Sequence, residues 1–127
     1  MSAAPASGRT PVAAAVYFVL AAVGAVGTWY FNLRFTPTPD APSYLEGWFA
    51  NPASSSVAVD VIVVATVACI FYVREARRLG GRWTVVALVL VPLTFLVALA
   101  FTFPLFLGLR EIALSRERPG PVPRPTT

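Results

Sequence analysis

The chain has 127 residues, 57% of them hydrophobic, a mean hydropathy of +0.69 and a formal charge of +4 with no histidine. Soluble domains average about 45–50% apolar residues by a broader count, so this composition excludes an ordinary water-soluble domain and fits a bilayer-embedded one. All ten basic residues are arginines set at the ends of apolar runs, which excludes a nucleic-acid-binding surface.

Residues 1–10 are small and polar and read as a disordered tail. The first apolar run, 11–31, is long enough to cross about 30 Å of hydrocarbon and predicts a span over about 11–33. A cleavable secretory signal ending near Gly24 or Gly27 is the alternative. The run continues through Trp29, Tyr30 and Phe31, which suits an uncleaved anchor with interfacial aromatics. In the connection that follows, Ser43 and Glu46 fit a capping box, and Tyr44, Leu45, Trp48 and Phe49 fall on one side of a helix. A short helix over about 42–50, lying in the membrane interface, is predicted.

Asn51 is a good N-cap and Pro52 a favoured first helical residue, so the second span, about 53–79, starts there and stops at the Gly80–Gly81 pair. The third, about 82–113, carries Pro92 and Pro104, each expected to bend it. A straight helix of this length exceeds the hydrocarbon thickness, so it must tilt, bend or protrude. The tail 115–127 is proline-rich and predicted disordered. The predicted fold is therefore all-α: three transmembrane helices within 11–114 and a short interfacial helix between the first and second.

Three spans place Arg9, Arg74, Arg77, Arg78 and Arg82 on one side and Arg34, Arg110, Arg116, Arg118 and Arg124 on the other. The positive-inside rule ties. The crowding of four arginines in the tight 74–82 connection favours a cytoplasmic position for it, with the C-terminus outside.

Asp60 is the one acid within the apolar runs, and a carboxylate in hydrocarbon is a functional candidate by default. On a three-span topology it shares a membrane side with Arg34 and Arg110, with Ser56 one turn away and Tyr30 and Thr102 at similar depth. These residues predict a polar knot that clamps helix ends; a proton or cation relay and a polar anchor in a ligand cavity remain open beside it. Glu75 and Arg78 are spaced to pair on the surface.

The segment WFANPASS ahead of Asp60, then EARRLG and FPLFLGLRE, resembles the small bacterial membrane proteins grouped as domain of unknown function 2834, across residues 12–112. The matching positions are Phe49, Ala50, Asn51, Asp60, Glu75, Arg77, Arg78, Leu79, Gly80, Pro104, Phe106 and Arg110. The resemblance implies a three-span protein of the bacterial inner membrane and carries no activity with it. The long tails and the extended first loop depart from its compact pattern.

Absent residues narrow the chemistry further. Without histidine there is no b-type haem or zinc site, and without lysine no Schiff base. Asp60 and Glu75 would sit about 22 Å apart along one helix, too far for paired-carboxylate catalysis. The expectation is a non-enzymatic protein with no cofactor and no metal, an accessory or scaffold subunit packing in the bilayer with another membrane protein or with itself. A small proton or cation transporter component using Asp60 is the first alternative; the second is lipid, quinone or pigment binding against Trp29, Trp48, Phe101, Phe103 and Phe106.

Overall fold

The computed structural model describes residues 9–116, with side chains from Val12 onward. The described chain is helical, and its nearest approach to a strand is an isolated bridge between Thr38 and Ala41. Five helices follow in order: α1 (Arg9–Asn32), α2 (Tyr44–Trp48), α3 (Pro52–Leu79), α4 (Trp83–Leu96) and α5 (Leu99–Arg116). Two stretches, Val12–Asn32 and Pro52–Leu79, are long and apolar enough to cross a membrane. The tail expectations for 1–8 and 117–127 lie outside the described residues.

Local chemistry accounts for the starts and stops. Asn51 Oδ1 accepts from the backbone N–H groups of Ala53 and Ser54, and Ser54 Oγ accepts from Asn51 N–H, a reciprocal cap that frees no donor at the start of α3. At the far end Gly80 (φ 68°) and Gly81 (φ 53°) take left-handed backbone, and Gly80 N–H closes on the Ala76 carbonyl at 2.8 Å. Ser43 caps α2 by accepting from Glu46 N–H at 3.3 Å, while its hydroxyl donates to the Glu46 carboxylate at 2.6 Å. The return bond differs from a standard capping box, in which the glutamate reaches the cap residue's own N–H.

The expected continuous helix over 82–113 is not formed. The chain reverses at Val97–Ala98, and α5 runs back antiparallel along α4. Phe106 stacks edge-on against Trp83 at 5.6 Å, whereas 23 residues of straight helix would hold them about 34 Å apart. Neither proline makes the turn, because Pro92 lies inside α4 and Pro104 inside α5. The sequence LVAL at the reversal has no helix breaker, so the turn is maintained by what it brings together. Phe106, fully buried, packs on Tyr72 at 4.8 Å and on Phe71 at 5.7 Å, and the core continues through Ala68, Ala76, Ala87 and Leu90.

α3, α4 and α5 pack on one another, and α1 joins them through α5. α1 packs on α5, α4 on α3, and the Cα atoms of α1 and α3 nowhere come within 8 Å. The α1–α5 crossing is close because Gly24 lies against the Ala100 backbone and Gly108 against the Phe18 ring. On its opposite side α1 exposes Val12, Val16, Val19, Val23, Val26 and Tyr30, spaced alternately four and three residues apart.

The hairpin also redistributes charge. Arg110 and Arg116 return to the Gly80 end, where Arg116 borders the same cleft as Gly80 and Arg82, joining Arg74, Arg77 and Arg78. Among the described residues whose side chains are placed, Arg34 is the one arginine left at the Pro52 end.

Candidate functional site

The residues expected to form one polar knot separate into four places. Arg110 is at the Gly80 end, where its Nε donates to Glu75 Oε1 at 2.7 Å. This corrects its expected position beside Asp60, and the reason is the reversal at Val97–Ala98. Glu75, expected as a surface partner of Arg78, is buried at 7% exposure; Arg78 sits 3.7 Å away and is itself largely exposed. Arg110 also approaches Glu111 at 3.7 Å. A buried carboxylate is thus matched by a guanidinium from a different helix, which locks α3 to α5.

Thr102 is fully buried in the middle of the bundle. Tyr72 donates its hydroxyl to Thr102 at 3.4 Å, Thr94 and Thr102 share a hydrogen bond at 3.0 Å in which one of them donates, and the other threonine's proton goes to the carbonyl one turn earlier, Leu90 for Thr94 or Ala98 for Thr102. Three hydroxyls from α3, α4 and α5 therefore satisfy one another beneath the hairpin turn. Two separate polar clusters result, Tyr72, Thr94 and Thr102 beneath the turn and Glu75 with Arg110 nearer the Gly80 end. Thr102 falls in the first and Arg110 in the second, while Asp60, Ser56, Tyr30 and Arg34 belong to neither. Tyr72 and Thr94 were missed because their pairing is legible only once the chain is known to turn back between Thr94 and Thr102.

Asp60 lies eight residues inside α3 and is exposed, with no ion pair or side-chain hydrogen bond to the described residues. Ser56, one turn earlier, is exposed as well. Asp60 continues into Val63, Val67 and Ile70, each more than half exposed, so the carboxylate stands at the head of an outward apolar seam with three- and four-residue steps. Arg34 folds back over the Tyr30 ring, 4.1 Å from its centroid, and has no carboxylate within 4 Å among the described residues. Asn32, just below, accepts the Tyr44 hydroxyl at 2.5 Å, tying α2 to the end of α1.

The other motif positions are structural where the geometry is visible: Asn51 caps α3, Gly80 ends it, Pro104 sits within α5, and Arg77 is exposed. Of the aromatics considered as ligand contacts, Phe103 and Phe106 are packed into the core with Tyr72, while Trp48 stacks on Tyr44 at 6.0 Å. No cluster of three potential metal ligands occurs among the described residues.

Over its described residues an all-helical chain, with two helices fit to cross a membrane and a folded-back helical hairpin that carries Thr94, Thr102 and Arg110, defines the class. The family model described as "Protein of unknown function DUF2834" matches residues 16–112, and the chain belongs to that family. No curated protein and no solved structure matches it.

Proposed function

We propose that this is a multi-pass protein of the bacterial inner membrane without catalytic activity, an accessory or scaffold subunit that docks through the outward face of α3 at Asp60. The observation that carries the proposal is Asp60 itself: an exposed carboxylate, unpaired among the described residues, heading an apolar seam. Asp60 is about 12 Å inside the start of a helix about 42 Å long, too deep for its short side chain to reach bulk water easily. Such a group is stabilised by a polar or cationic partner on a neighbouring helix. Docking is tested by a photo-crosslinking residue at Val63 in native membranes, which should yield a discrete crosslinked polypeptide; lipid adducts alone would overturn it.

The orientation follows from the hairpin. On this reading α1 and α3 cross the bilayer while α4 and α5, about 21 and 27 Å long, enter and leave from the same side. The arginine tie of a three-span topology then disappears: Arg74, Arg77, Arg78, Arg82, Arg110 and Arg116 face the cytoplasm and Arg34 faces outward. At the reversal Val97 and Ala98 are half-buried and Gly24 of α1 lies against the Ala100 backbone, which shields part of the turn from lipid. In a Cys69→Ala background, a label that reacts with Thr38→Cys from outside should leave Ser115→Cys untouched until the membrane is permeabilised. Equal labelling of both in intact cells would overturn this topology.

A further inference from the structure

We infer that the partner at Asp60 is a second copy of this chain, in the same membrane orientation, and that each Asp60 pairs with Arg34 of the partner subunit. The inference rests on the docking reading above and names its occupant. Three observations converge on it.

The first is complementarity of charge. Among the described residues with placed side chains, Arg34 is the one arginine at the Pro52 end, and it is without a carboxylate, as Asp60 is without a cation. An arginine–carboxylate pair makes short, charge-assisted hydrogen bonds that a buried acid needs.

The second is depth. Tyr30, under the Arg34 guanidinium, lies six residues and about 9 Å beyond the Gly24–Ala100 crossing at the hairpin turn. Asp60 lies twelve residues, about 18 Å, beyond Tyr72. The Tyr72 side chain leans toward the start of α3 to reach Thr102, which with the two residues from Thr102 to Ala100 takes up about 8 Å of that distance. Both groups therefore stand about 10 Å past the turn.

The third is that the chain does not pair them itself. α1 packs on α5, and its Cα atoms nowhere come within 8 Å of those of α3. Their outward valine seams repeat at four and three residues, the spacing with which two helices interlock at a shallow crossing angle. With two copies related by a two-fold axis along the membrane normal, α1 of each meets α3 of the other, and the two ion pairs form together.

The experiment uses the full chain in lipid nanodiscs or mild detergent, with mass read by light scattering. The wild type should be a dimer, Arg34→Asp and Asp60→Arg should each raise the dissociation constant at least about tenfold, and the double swap should restore the dimer. Restoration shows that the single variants had folded. A monomeric wild type, or dimers indifferent to both single substitutions, would overturn the inference. If that wild-type monomer still crosslinks at Val63 to a different polypeptide in native membranes, the docking reading survives and the second copy does not; with no crosslinked polypeptide, both fail.

Discussion

Gly24→Leu is expected to detach α1 from the rest of the bundle, costing about 3 kcal/mol or more. A side chain at residue 24 would overlap the carbonyl, carbonyl carbon and Cβ of Ala100, and two of those three atoms are backbone that no rotamer change can move. Relief requires the two helices to separate, and α5 is the one long helix on which α1 packs. Gly27 supplies the control: three residues further on, its added Cβ would meet nothing within 4 Å. Gly27→Leu should leave SDS- or heat-induced unfolding of the reconstituted protein close to wild type while Gly24→Leu lowers the midpoint sharply. Equal midpoints for the two variants would mean that α1 does not dock on α5 at this crossing.

Glu75→Leu is expected to destabilise by about 3–5 kcal/mol, because it leaves the Arg110 guanidinium, only 22% exposed, without its main carboxylate. Glu111 remains 3.7 Å from Arg110 but approaches less closely than Glu75 does. Arg110→Met should be costly for the complementary reason, since the Arg78 that remains near Glu75 is 69% exposed and surface pairs of that kind contribute at most about 1 kcal/mol. Combining Glu75→Leu with Arg110→Met replaces a buried pair by apolar side chains and should recover most of the loss. Unfolding midpoints of the four chains measure the coupling directly. Additive losses would mean that the two residues do not pair in the folded protein.

The contrast between these residues and the helix ends explains what could be read in advance. Asn51 with Pro52, Gly80 with Gly81, and Ser43 with Glu46 act through backbone groups at most four residues away, so their roles are encoded locally. Phe106, Arg110 and Thr102 act on partners across helices. The prolines were misleading for the same reason: Pro92 and Pro104 are obvious local perturbations, yet each stays inside a helix while the chain reverses at an unremarkable Val97–Ala98. That one reversal, where a single bent span was expected, moved Arg110 to the opposite end of the molecule and dissolved the expected knot around Asp60.

By itself the sequence predicted an all-helical chain with three spans, the first two of which are helices able to cross a membrane, together with their caps and stops and Asp60 as the one acid in an apolar run. Hydropathy, capping and glycine chemistry are short-range properties, and they need no fold to be evaluated. Only the tertiary structure decided that the last apolar run is a hairpin, that Glu75 is buried against Arg110, and that Asp60 is turned outward from the described bundle. Those outcomes depend on which side chains gain most by meeting: the Phe106 aromatic core, the Tyr72, Thr94 and Thr102 hydroxyls and the Glu75–Arg110 pair together stabilise a turn for which no local residue provides a signal.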